Sequence, residues 1–371
     1  MNLKNRMMNI LNITTITGLR GGDIQMFTIY KLLKSYNSLN QYILCPDDSD
    51  LYKMNKELDE NFLSYKKTNK IFSAIKPILK IIKEKNINII HVHDSSALSA
   101  VLIASLFFSP EIKIIFSRKR DKAIKRNILG KIKYGNKRIN KIVCVSNAVA
   151  SVFDYVIKDK SKIQTIYDGI DVSKFENSKP LGLIRNEIGV SDAYRIVGNI
   201  AALENQKDLK TFVNAVEYVK KMKPYLNVKY VIIGEGKERE KLEVYIKDRK
   251  LEGDIYLFGF RKNVNELLPE FDVFMMSSIS EGLPLTIYEA FACKVPVVST
   301  KAGGVPEAVI NNFSGLTSEI KDYKSLGDNL IKILTDDNLK DLLIENAFQM
   351  VKERFDLPVL EKNYYHLYKT I

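Results

Sequence analysis

The chain has 371 residues, 57 Lys and Arg against 44 Asp and Glu, a formal charge of +13 and 46% hydrophobic content. That length exceeds one typical core and suits two, and the composition is that of an ordinary globular protein, not a disordered or fibrous one. No apolar run is long enough to span a bilayer, and three cysteines and three histidines without ligand spacing argue against a zinc site or a disulfide framework.

The start, Met1 to Arg6, is polar and leads into Met7–Ile16, where Asn9, Asn12 and threonines interrupt the apolar run. It reads as a first strand and not as a signal peptide. Further strands are expected at Gln41–Cys45, Ile87–His91, Ile112–Phe116, Lys141–Val145 and Ile163–Ile166, with helices at Gln25–Ser35, Lys70–Lys85, Ala97–Phe108, Lys125–Lys133 and Ala148–Val156. Pro77 either kinks the second helix or marks its start. Val172 to Pro180 is polar and aperiodic, a linker. A second alternation follows, with strands at Arg195–Ile200, Val228–Ile233, Ile255–Phe258, Val273–Met276 and Val295–Ser299. Its helices are expected at Leu209–Met222, Glu238–Lys250, Val264–Phe271, Leu285–Cys293, Val305–Asn311 and Ser325–Thr335. Two βα alternations predict two parallel, doubly wound sheets, an α/β fold that binds ligands at the carboxyl ends of its strands. Leu339 to Ile371 reads as mostly helical. Cys45, Cys144 and Cys293 sit in strand-like or buried helical contexts and read as reduced core thiols, consistent with a cytoplasmic location.

The densest chemistry lies between Glu281 and Glu307. Gly282 permits a tight turn and close approach to a ligand. Pro284 suits the first turn of a helix, whose N-terminus offers free N–H donors and favours phosphate. Glu289 follows Glu281 by eight residues, and either carboxylate can accept from sugar or ribose hydroxyls. Val295 to Ser299 reads as a buried strand, and Gly303-Gly304 as a second ligand-facing turn.

This ordered segment resembles the donor-sugar signature of the retaining glycosyltransferases of family 4, including their Glu-x7-Glu pair. The resemblance implies the GT-B fold: two Rossmann-like domains facing each other across a cleft, with a C-terminal helix crossing back. It implies an acceptor-binding domain over 1–171, a linker over 172–180, a nucleotide-sugar domain over 181–354 and a returning helix over 355–371. Glu289 would bind ribose. Glu281 and the backbone of Gly282, Leu283, Pro284 and Leu285 would hold the sugar. Lys207 matches the family's diphosphate lysine, although Ala202 stands where a partner arginine is common. Gly21-Gly22 matches the N-terminal loop that approaches the donor phosphates. Gly198, Gly234 and the Gly259-Phe260 strand end would line the nucleotide.

His91-Val92-His93-Asp94 ends a strand. The resemblance places His93 and Asp94 on the acceptor side and in the catalytic set with Glu281 and Lys207, while His91 reads as a satisfied core histidine. In Ser117-Arg118-Lys119-Arg120, basic residues replace the histidine many relatives carry, and Arg118, Lys119 and Arg120 suit an anionic acceptor. Asp48-Ser49-Asp50 reads as a turn, so no metal and no cofactor is expected beyond the nucleotide-sugar donor, UDP-linked or GDP-linked. The basic segments Lys66–Lys85 and Arg118–Lys141 are either solvated surface or a face for an anionic membrane or acceptor. The expected partners are a nucleotide-sugar and a glycan or lipid-linked acceptor, in cell-envelope polysaccharide synthesis on the inner face of the cell membrane. The rival readings are a sugar-nucleotide epimerase of similar fold and a nucleic-acid binder; the latter lacks interleaved stacking aromatics.

Overall fold

The computed structural model describes residues 7–18, 21–124 and 127–371. Met1 to Arg6, and Lys125 and Arg126 of the expected basic helix, lie outside the described residues. The chain forms two compact units, Met1–Asp168 with Pro358–Ile371, and Gly169–Leu357.

The first unit is built on a seven-stranded sheet of β1 (Met8–Ile13), β2 (Leu39–Pro46), β3 (Phe62–Tyr65), β4 (Ile89–Val92), β5 (Lys113–Arg118), β6 (Ile139–Cys144) and β7 (Ile163–Thr165). Their order is β3-β2-β1-β4-β5-β6-β7, and every pairing is parallel. The second unit orders its six strands β10-β9-β8-β11-β12-β13. These are β8 (Arg195–Ile200), β9 (Val228–Ile233), β10 (Ile255–Gly259), β11 (Val273–Met276), β12 (Val297–Thr300) and β13 (Leu316–Ser318), again all parallel. Both sheets are therefore Rossmann-like, as the two alternations require. Strand order reverses between β1 and β4 in one unit and between β8 and β11 in the other. Loops diverge at such switch points and leave a crevice at the carboxyl ends of the strands.

The second core is apolar and continuous. Val197, Tyr230, Ile232, Val273 and Met275 from the strands meet Phe212, Val216, Leu242, Leu326 and Leu330 from the helices. Burial of each such side chain is worth about 1.5–3 kcal/mol, enough to hold the loops above it.

Several elements depart from the sequence reading for physical reasons. The helix expected from Lys70 begins at Ile75, with Pro77 in its first turn. Before it, Asn69 Oδ1 accepts from the N–H groups of Ile71, Phe72 and Ser73 and holds a tighter turn. The helix Leu183–Ile188 follows a glycine, and its cap comes from a distance: the Glu270 carboxylate accepts from Leu183 N at 2.6 Å and Ile184 N at 2.9 Å. Val305–Glu307 makes a single 3-10 turn in place of the longer helix expected there. The short strands β3 and β13 carry too few residues to show a period. At the end of the chain, Phe355 and Asp356 break the helical run. Ile170 N donates to Phe355 O and Leu357 N to Ile170 O, which pins the chain between the helices Asp337–Arg354 and Leu357–Thr370.

Candidate functional site

In the second unit, loops after β8, β11 and β12 are tied together around one carboxylate. The β8 loop passes through a 3-10 turn, Asn205–Lys207, and reaches Asp208 in the left-handed region at φ 43°. Ile279 N donates to Gln206 O at 2.8 Å, and Ser277 Oγ donates to Lys207 O at 3.0 Å, so the β11 loop clasps that turn. Gly304 N donates to Glu281 O at 3.2 Å, which brings in the β12 loop. At the centre, Lys207 Nζ lies 2.6 Å from Glu281 Oε1, and Ser278 Oγ donates to the same oxygen at 2.7 Å. The side chains of Lys207 and Glu281 are only 15% and 9% exposed, so the pair is weakly screened by solvent. Glu281 and Lys207, far apart in sequence, are thus brought into direct contact. Ser278 was missed by the sequence reading; its only signal was a serine pair at the end of an apolar strand.

The helix Leu285–Ala292 starts beside this cluster. Pro284 is its N-cap, extended at ψ 132°, and not its first helical residue, and its own side chain makes no cap hydrogen bond. Glu289 lies in the second turn of that helix. Burial pushes its carboxyl up to about 7 from an ordinary 4.5, and among the described residues its carboxylate has no hydrogen-bond or ion-pair partner. Beneath it, Tyr288 stacks on Phe355 with ring centroids 4.1 Å apart, which fixes the helix rotation.

The glycines divide by role. A Cβ on Gly198 would fall 2.0 Å from the Phe271 ring, so strand packing by itself requires a glycine here. Gly234 has φ 145°, and a Cβ there would lie 1.9 Å from Ala201 O; it allows the β9 loop to nest on the β8 loop. Gly259 accepts from Gly234 N and turns the chain at φ 71°, leaving the Phe260 ring 68% exposed at the carboxyl end of β10. Ala202 is exposed in the β8 loop and brings no charge.

In the first unit, the loops at the β1/β4 switch point meet over a buried polar cluster. His91 is fully buried, with Nδ1 2.7 Å from Tyr368 Oη and Nε2 2.7 Å from Ser117 Oγ; burial pushes its pKa down to about 3, so it is neutral. The His93 ring lies tilted against it, centroids 4.1 Å apart, and its Nε2 is 3.2 Å from Asn12 Oδ1. Its Nδ1 is buried without a partner among the described residues, and burial followed by His91 and Lys119 keeps the ring neutral. Asp94 is occupied otherwise than expected. Its carboxylate accepts from Ser96 N, Ala97 N, Thr15 N and Thr15 Oγ1, capping the helix Ser95–Ala104 and tying it to the β1 loop. Those four donors make it a structural pin at the strand end beside His93.

The basic loop also separates. Arg118 donates to Arg120 O and Lys122 O and lies over the Tyr134 and Phe153 rings, so it staples its own loop. Lys119 is ion-paired with Asp168; burial opposes its charge, but Asp168 and Tyr364 outweigh that and raise its pKa. Its Cγ lies 3.7 Å from where a Cβ on Gly22 would stand, at the start of the helix Gly21–Leu32. Only Arg120 keeps an exposed side chain with no partner among the described residues. Asp48-Ser49-Asp50 opens a helix that Ser49 caps by accepting from Tyr52 N. Among the described residues no group of three or more His, Cys, Asp or Glu is placed to hold a metal ion.

Comparison with known proteins gives two adjacent family matches. The model described as Glycosyltransferase Family 4 covers residues 39–174, and that described as Glycosyl transferases group 1 covers 183–350. The chain is 26% identical over 301 residues to N-acetyl-alpha-D-glucosaminyl L-malate synthase of Bacillus anthracis, covering 79% of this chain and 77% of that protein. It is 25% identical over 349 residues to UDP-Gal:alpha-D-GlcNAc-diphosphoundecaprenol alpha-1,3-galactosyltransferase of Escherichia coli, covering 90% and 86%. The crystal structure of Anabaena HepE in complex with UDP-glucose matches 98% of this chain and all of that one, with a TM-score of 0.84 at 18% identity.

Proposed function

Because the chain belongs to the family 4 glycosyltransferases, enzymes that use nucleotide-sugars, we propose that it moves a hexosyl group from a UDP-sugar to a glycan or lipid-linked acceptor in cell-envelope polysaccharide synthesis. GDP-sugar is the alternative donor. Retention of anomeric configuration follows the family.

One observation carries the reading: Glu281, Lys207 and Ser278 converge at the β8/β11 switch point, beside the N-terminus of Leu285–Ala292. In this proposal Glu289 accepts the ribose hydroxyls. Glu281 and the backbone N–H groups of Gly282, Leu283 and Leu285 hold the sugar. Phe260 offers its face to the base. As the bond from the sugar to the diphosphate lengthens, negative charge grows on the leaving phosphate, and Lys207 with the helix N-terminus lies close enough to stabilise it. The departing phosphate oxygen can then take the proton of the attacking acceptor hydroxyl on the same face, so no protein nucleophile and no metal is required. Arg120 and His93 are the acceptor-side candidates in the first unit. The UDP-glucose complex of Anabaena HepE and the UDP-galactose-using relative of Escherichia coli support a uridine donor.

A donor screen tests this. A ligand that binds only the native state raises Tm, so UDP and its sugars should stabilise the protein more than GDP, ADP or their sugars. No stabilisation by any of them would refute the reading. Conversion of the donor sugar without acceptor would replace transfer by epimerisation.

A further inference from the structure

The helix Ile128–Tyr134 has no buried residue, although it carries three large aliphatic side chains. Ile128, Leu129 and Ile132 are 73%, 70% and 61% exposed. At about 100° per residue, positions i, i+1 and i+4 share one helix face. The opposite side is the one that docks. Tyr134 lies against the Phe116 and Phe153 rings, its Oη is 3.0 Å from Ser95 Oγ, and Lys133 Nζ donates to the same serine. The helix is thus fixed to the body by its C-terminal residues with its aliphatic face turned out. Lys131 is exposed on the same helix, exposed Arg120, Lys122 and Lys137 lie close to it along the chain, and Asp121 is the single acid between Arg118 and Lys141.

We propose that this helix is a membrane-docking element. Ile128, Leu129 and Ile132 enter the boundary between headgroups and acyl chains, and the flanking lysines engage the phosphates of an anionic leaflet. The charge pattern selects this occupant. Protein interfaces centre on aromatic residues and are depleted in lysine, whereas an exposed aliphatic face within a lysine-rich segment matches an interfacial helix. Ser95 opens the helix that follows β4, so docking brings the lipid surface to the strand ends that carry His93. The proposal gives the lipid-linked acceptor reading a physical basis and rests on that reading only for its biological purpose.

The test is co-sedimentation with phosphatidylcholine vesicles, with and without about 30% phosphatidylglycerol, at low and high salt. The full chain should bind the anionic vesicles and lose most binding in high salt. Two variants separate the contributions: Ile128→Ser with Leu129→Ser and Ile132→Ser, and Lys122→Gln with Lys131→Gln and Lys137→Gln. Each should lower the partition coefficient by roughly tenfold or more. Unchanged Tm and unchanged stabilisation by UDP in both variants would confirm that fold and donor site are intact. Equal binding to neutral and anionic vesicles, or wild-type binding by the triple serine variant, would overturn the proposal. A dimer in vesicle-free solution that the triple serine variant disperses would assign the face to a second copy and also overturn it. Vesicle binding without any nucleotide binding would instead refute the transferase reading and leave the docking intact.

Discussion

Glu289→Gln tests the donor site through two independent pH profiles. The carboxyl is half-buried with no compensating partner among the described residues, and desolvation raises its folded pKa from 4.5 to about 7. Each tenfold change in proton affinity is worth roughly 1.4 kcal/mol, so the ionised form costs the free protein at most about 3 kcal/mol. The sign follows from proton uptake. Between the two pKa values the folded state binds the proton more tightly than the unfolded chain, so stability falls as pH rises through that window and is flat above about 7. Glutamine carries no charge at any pH. In urea unfolding, the variant should match wild type near the lower end of the window and exceed it by up to about 3 kcal/mol above its upper end. Nucleotide affinity should move oppositely. A carboxylate accepts from ribose hydroxyls with charge assistance, so wild-type affinity for UDP should rise about tenfold from one pH unit below 7 to one unit above. The glutamine variant should be flat with pH and roughly tenfold to a hundredfold weaker at the alkaline end. Calorimetric titration with UDP at both ends, alongside the urea curves, reads both effects. A variant no more stable than wild type at the alkaline end, or one that keeps the wild-type pH profile for UDP, would refute the reasoning.

Lys207→Ala removes the partner that Glu281 meets at 2.6 Å and leaves a shielded carboxylate with Ser278. It should cost about 2–3 kcal/mol in stability, and transfer should fall more than UDP binding, measured by kcat at saturating donor; an unchanged kcat would remove Lys207 from the chemistry. Transfer should persist after EDTA treatment; loss of activity that Mg²⁺ or Mn²⁺ restores would return attention to Asp48 and Asp50.

The two sheets were legible in the sequence because their strands are short apolar, β-branched runs separated by amphipathic stretches. β8, β9 and β11 fall where Arg195–Ile200, Val228–Ile233 and Val273–Met276 predict them. The Glu281 region was legible because its chemistry is local: loop, proline, helix and carboxylate lie within one short stretch. What sequence could not show is which polar groups are already satisfied. Asp94 reads as a pocket residue, and only the fold shows that its carboxylate already accepts from four donors. Arg118 and Lys119 read as an anion fork, and only the fold shows their contacts with Lys122 O and Asp168. Gly198 reads as a ligand glycine, and only the fold shows the Phe271 ring packed against it. These are long-range contacts without a period, and they depend on the register of neighbouring strands. The outward aliphatic face of Ile128–Tyr134 was hidden for a related reason, because apolar spacing on a helix is the same whether the face meets a core or the surroundings.

The central claim, that the constellation around Glu281 performs sugar transfer, is tested most directly by Glu281→Gln. The variant keeps the size of the side chain and its contact with Ser278 but removes the charge facing Lys207. With donor and acceptor both saturating, kcat should fall roughly a hundredfold while UDP affinity changes little, because the contact acts most in the transition state. A correctly folded Glu281→Gln variant that transfers sugar at the wild-type rate would contradict the account.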